Sequence, residues 1–103
     1  MGLCIELTDE SWVVLDFVTD EGNLLHRVLP RQDDDSSPML ASIDWYGGDT
    51  VFNSFQMKRF LPEWEHVIRR AASGEEQVLA ARIKKLAERC RDEVHIYVKF
   101  VGD

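Results

Sequence analysis

The stretch Asp44-Trp45-Tyr46-Gly47-Gly48-Asp49-Thr50-Val51-Phe52-Asn53 divides the chain into two halves of different character. Ahead of it lie short alternating and β-branched runs separated by turn formers, with few basic side chains. Behind it come two segments with apolar residues at helical spacing and one last alternating run. The Gly47-Gly48 pair ends any regular element that precedes it. Asn53, with Gln56 three residues later, has the residue types of a reciprocal helix-capping pair. The stretch reads as a strand-to-helix connection, and the fold class follows from what it joins.

Toward the N-terminus, residues 39–45 read as a strand broken by the two glycines. Residues 31–38 form a polar loop whose Asp33-Asp34-Asp35 run cannot bury apolar surface. Residues 24–29 read as a strand closed by Pro30. Asp20-Glu21-Gly22-Asn23 reads as the hairpin turn that feeds it, since Gly and Asn accept a left-handed backbone. Residues 12–18 are aromatic and β-branched, a strand, and Leu3, Ile5 and Leu7 alternate with Cys4, Glu6 and Thr8 in another. Trp12, Phe17 and Trp64 read as core aromatics.

Toward the C-terminus, Phe60, Trp64, Val67, Ile68 and Ala71 recur at helical spacing. Pro62 interrupts that pattern and predicts either a kink or a short helix at 54–60 followed by one at 62–73. Gly74 reads as the C-cap. Leu79, Ile83, Leu86 and Cys90 define a second amphipathic helix ending near Asp92, opened by Glu75 and Glu76 at its positive end. Val94, Ile96, Val98 and Phe100 alternate in a final strand. The sum is one α+β domain over residues 1–103. It has an antiparallel sheet of about four to five strands and two helices from the C-terminal half on one face. The last strand returns to the sheet beside the first or fourth strand, at its centre.

The chain has 103 residues, 45% of them hydrophobic and 30% charged. A chain of this length buries roughly two thirds of its unfolded surface, enough for one core. Cys4 and Cys90 read as buried thiols of a reducing compartment. With no secretory leader and no long apolar run, the expectation is a cytoplasmic location and no membrane contact. The net charge is −7, but residues 1–53 hold eleven acids against two bases, Arg27 and Arg31, while residues 54–103 are slightly basic. An acidic half repels nucleic acid and attracts a basic protein surface.

No catalytic signature is present. The serines lack a nucleophile motif, and His26, His66 and His95 lack metal-ligand spacing. Asp33-Asp34-Asp35 lacks the spaced ligands of a calcium loop, and Gly47-Gly48-Asp49-Thr50 matches no phosphate-binding fingerprint. The expectation is therefore no enzyme, no cofactor and no metal. The basic positions Arg82, Lys84, Lys85, Arg89 and Arg91 interleave with acids and read as a solvated helix face. The candidate partner-binding residues are Asp33, Asp34, Asp35, Asp44, Trp45, Tyr46 and Asp49: carboxylates for a basic partner, with two aromatic anchors of the kind enriched at binding hot spots.

Through residues 44–53 and the closing segment 94–103, and in its size, acidity and layout, the chain resembles small bacterial immunity proteins of polymorphic toxin and contact-dependent inhibition systems. The resemblance carries over no individual functional residue. It implies a cytoplasmic inhibitor that occludes the active site of a cognate toxin domain. An exposed edge strand would suit a monomer or a weak homodimer. Two alternatives stand beside it. One is a small enzyme or ligand-binding regulator with a pocket between sheet and helices, for instance around His66, Tyr97 and Asp44. The other is a phage-encoded inhibitor of a host nuclease.

Overall fold

The computed structural model describes residues 3–30, 36–44 and 46–102. Strands β1 (Cys4–Asp9), β2 (Val14–Thr19), β3 (Asp49–Asn53) and β4 (Ile96–Val101) form one antiparallel sheet in the order β2-β1-β4-β3. Helices α1 (Leu25–Val28) and α2 (Pro38–Ala41) lie between β2 and β3, and α3 (Met57–Arg70) and α4 (Gly74–Asp92) between β3 and β4. The α+β expectation holds, and the last strand is central, hydrogen-bonded to β1 on one side and β3 on the other.

Strand alternation sends Leu3, Ile5, Leu7, Val18, Phe52, Ile96, Val98 and Phe100 to one face, where all are buried. Helix α3 covers that face with Phe60 and Trp64. Their rings stack at 5.5 Å, and both contact Phe100. Helix α4 adds Ile83, Leu86, Ala87 and Cys90. The indole Nε1 of the wholly buried Trp64 donates to the Ala80 carbonyl at 3.0 Å, so the ring is buried without an orphaned donor. Burying each such large side chain contributes about 1.5–3 kcal/mol.

Three segments differ from the sequence reading. Residues 24–29 are not a strand; Leu25, Val28 and Leu29 are buried at one-turn spacing in and just after α1. The cause is Asp20, a buried carboxylate that accepts from the backbone N–H groups of Leu24 (2.7 Å) and Leu25 (2.8 Å) and closes the first turn. Residues 39–44 are not a strand either. Pro38 sits in the first turn of α2, and Glu63, on α3, accepts from the N–H groups of Met39 (3.3 Å) and Leu40 (3.0 Å). The third strand is instead Asp49–Asn53, inside the stretch read as a connection.

The capping pair exists: Asn53 Oδ1 accepts from Gln56 N–H (2.9 Å), and Gln56 Oε1 accepts from Asn53 N–H (2.8 Å). It closes the turn before α3 rather than the helix itself. Pro62 neither divides nor ends α3, which runs unbroken from Met57 to Arg70. Gly74 opens α4 instead of closing α3; Ser73 is the N-cap, accepting from Glu76 N–H at 3.1 Å. Glu76 reaches back to accept from Ala72 N–H at 3.2 Å. Val94 lies outside β4 and is exposed.

Candidate functional site: the open face of the sheet

The helices that cover the sheet, α3 and α4, lie on one side of it, so register alone defines what the other side presents. Three rows cross it. Asp49, Val101, Cys4 and Thr19 form the first. Val51, Lys99, Glu6 and Phe17 form the second. Asn53, Tyr97, Thr8 and Val14 form the third. An antiparallel sheet open on one face ordinarily shows polar residues there. This one shows Phe17, Val14, Val51, Tyr97 and Val101, and Phe17 is 56% exposed. Phe17 is therefore not a core aromatic: its phase in β2 pairs it with Glu6, opposite the buried pair Ile5 and Val18.

Trp12 is 54% exposed and joins this face from the turn between β1 and β2. The Asp9 carboxylate accepts from Ser11 N–H (2.8 Å) and Val13 N–H (3.0 Å), and Trp12 N–H donates to the Asp9 carbonyl. That turn holds Trp12 at φ 64°, a left-handed backbone that a bulky residue adopts only when its surroundings impose it. The indole lies 5.6 Å from the Tyr97 ring, and Lys99 Nζ sits 5.7 Å from its centroid. Beneath this end of the face Thr8 is 1% exposed, and its hydroxyl has no hydrogen-bond partner among the described residues. Lys99 also pairs with Asp49 at 3.4 Å.

Of the candidates read from sequence, Asp33, Asp34, Asp35 and Trp45 lie outside the described residues. Asp44, Tyr46 and Asp49 sit together at one end of the sheet. Tyr46 is 78% exposed. Asp44 is partly committed to its own turn: Oδ1 accepts from Tyr46 N–H (2.9 Å), while Asp44 N–H donates to Thr50 Oγ1 (2.9 Å). Gly102 closes on the same turn, donating to the Gly48 carbonyl at 2.8 Å. A Cβ there would lie 2.7 Å from the Asp44 and Gly48 carbonyl oxygens, so only glycine fits.

The described acids of the N-terminal half do not gather on one side. Asp20 is buried as a helix cap. Asp16 faces the helix side beside Arg89 (3.9 Å). Glu10 meets His95 at 2.6 Å at the end of the sheet opposite Asp49. What remains near the open face is Glu6 within it and Asp49 and Asp44 at its rim.

Neither thiol is activated. Cys90 is buried against the Ile96 carbonyl (3.4 Å), and burial pushes its pKa up to about 11. Cys4 stands on the open face, where burial and then Glu6 raise its pKa. The two lie on opposite sides of the sheet and are free. His66 is exposed on α3 and Tyr97 lies on the far face of the sheet, so no pocket unites them with Asp44. Among the described residues no group of three or more His, Cys, Asp or Glu is placed to hold a metal, and no helix is long and apolar enough to cross a membrane.

Sequence reasoning missed Trp12, Phe17 and Tyr97 as a surface. The one available signal was the strand of residues 12–18, apolar at nearly every position and so without a phase of its own. No family model, no curated protein and no solved structure matches the chain.

Proposed function

We propose that this chain is a non-enzymatic protein-binding inhibitor, most consistent with an immunity protein that neutralises a cognate bacterial toxin. We propose also that the open sheet face is its contact surface. The observation that carries this reading is the composition of that face: Trp12, Phe17, Val14 and Val51, exposed where folding asks for polar residues, with the half-buried Tyr97 packed against Trp12. Trp and Tyr supply large contact area at low entropic cost, and a desolvated aromatic centre inside a charged rim is the anatomy of a protein interface. Exposed apolar patches of this kind mark interaction sites. Glu6, Asp49 and Asp44 at and beside the face favour a partner whose rim is basic, as the clefts of toxins that act on nucleic acids are. Tyr46 extends the same surface past the end of β3.

The reading is tested by co-expressing the chain with the product of the adjacent upstream gene and measuring the complex by titration calorimetry. Wild type binds at one to one. Phe17→Lys and Trp12→Ser, both at exposed positions, weaken it by at least tenfold with unchanged circular dichroism. A toxic partner that the wild-type chain does not bind, or that both variants bind as well as wild type, sinks the assignment.

A further inference from the structure

The outer edge of β2 is a second surface, distinct from the open face and independent of the reading above. Asp20 N–H donates to the Leu3 carbonyl at 3.1 Å, and antiparallel partners alternate between hydrogen-bonded and non-bonded pairs. Continuing the register, Ile5 with Val18 and Leu7 with Asp16 are the bonded pairs. The backbone groups of Phe17 and Thr19 therefore point away from the sheet. The Phe17 N–H is met only by its neighbour's side chain, Asp16 Oδ1, at 2.8 Å. A local carboxylate stands where the next strand would be.

On the helix side of this edge a groove of about 310 Å³ runs between β2 and α4, lined by Asp16, Val18, Arg82, Lys85, Leu86 and Arg89. It holds three cations and one carboxylate. Arg89 divides itself between Glu93 (3.0 Å) and Asp16 (3.9 Å), whereas Arg82 and Lys85 have no ion-pair partner among the described residues. Open backbone groups and an uncompensated positive groove lie side by side along one strand.

We infer that the β2 edge accepts an extended acidic segment of a partner protein as a fifth strand, with alternate carboxylates of that segment seated against Arg82 and Lys85. Alternate residues of a strand project to one face about 6.8 Å apart, and Arg82 and Lys85 stand one turn apart on α4, about 4.5 Å along its axis, a difference that their long side chains span. Two successive carboxylates thus meet the two cations, while the intervening side chains lie beside Phe17 on the open face. The incoming carbonyl displaces Asp16 from Phe17 N–H, and Arg89 is already placed to receive the released carboxylate. Main-chain bonds then supply affinity and the groove supplies selectivity. A second copy of this chain fits less well: pairing two β2 edges brings six cations together with only two carboxylates.

The test uses the isotopically labelled full chain and two peptides, acetyl-Val-Glu-Val-Glu-Val-Glu-Val-amide and its counterpart with Lys for Glu. The glutamate peptide shifts the amide resonances of Phe17 and Thr19 and binds at least tenfold more tightly than the lysine peptide. Its affinity falls with added salt. Arg82→Glu with Lys85→Glu, both on the exposed side of α4, reduces it at least tenfold. Thr19→Pro, which deletes an outward donor and leaves the β1 pairing intact, also abolishes it. Equal binding of the two peptides, or an unchanged affinity in the Arg82→Glu, Lys85→Glu chain, overturns the inference. So does self-association that buries Phe17 and Thr19 with no peptide bound.

Discussion

Glu63 holds α2 from twenty-odd residues away, and removing it should cost more than any exposed charge in the molecule. Its carboxylate is 8% exposed and accepts from Met39 N–H at 3.3 Å and from Leu40 N–H at 3.0 Å. Hydrogen bonds to a charged group contribute about 1.5–3 kcal/mol each. Glu63→Ala orphans the Leu40 N–H in a buried site, at a cost of about 1–3 kcal/mol, while the half-buried Met39 N–H regains water. Desolvation of the lost carboxylate offsets part of this. The net expectation is a destabilisation of about 2–4 kcal/mol, a large share of a stability typically of 5–15 kcal/mol. Glu63→Gln keeps one acceptor and aims a donor at the other N–H, so about 1–2 kcal/mol is expected. Urea unfolding followed by circular dichroism measures both, and hydrogen exchange at Met39 and Leu40 localises the effect. If Glu63→Ala lies within 0.5 kcal/mol of wild type, or if those two amides exchange no faster, the view of α2 as a helix capped in trans is wrong.

Two further outcomes follow from the titrating groups. The Ala72 N–H, the Ser73 cap and Arg27 hold the Glu76 carboxyl below its ordinary pKa, so its stabilising contribution is present above the usual carboxylate range, roughly pH 4, and is lost as pH falls through the lower folded value. Glu76→Gln should therefore melt below wild type at pH 7, with the gap closing as pH falls below the usual carboxylate range; a gap that is constant with pH refutes the assignment. Cys90, with its pKa raised to about 11, should resist a thiol reagent at pH 8 until the chain unfolds, while the half-buried Cys4 reacts first; mass spectrometry after brief labelling decides the order.

How much was legible in the sequence depended on where each element finds its partners. Helix α4 and strands β1 and β4 carry their own periodicity, and Leu79, Ile83, Leu86 and Cys90 or Leu3, Ile5 and Leu7 announce the buried side directly. Helix α2 has no such signature, because half of its cap belongs to Glu63 on another helix. Helix α1 did carry one: Leu25, Val28 and Leu29 at one-turn spacing, beginning five residues after Asp20. The turn signal at Asp20-Glu21-Gly22-Asn23 masked it by suggesting a hairpin, and four residues are too few for periodicity to arbitrate. Strand β3 is a strand because β4 lies beside it, and β propensity expresses such surroundings more than the local chain. The same non-locality hid the candidate site. Whether Phe17 points inward is settled by its opposing Ile5 and Glu6 neighbours, and a one-residue slip reverses it. The acidic composition was legible, but net charge says nothing of where carboxylates stand, and Asp20 proved to be part of the scaffold.

The position of β4 has a consequence for how the molecule comes into being. Strands made first, β1 and β3, touch only through a strand translated last, so the emerging polypeptide holds two unjoined fragments until residues 96–101 have left the ribosome. Local α3–α4 association can precede that moment, but the sheet cannot close before it. The aromatic surface is thus completed only when β4, which brings Tyr97, joins the hairpin that carries Phe17, and a chain truncated ahead of residue 96 would be unable to present it whole.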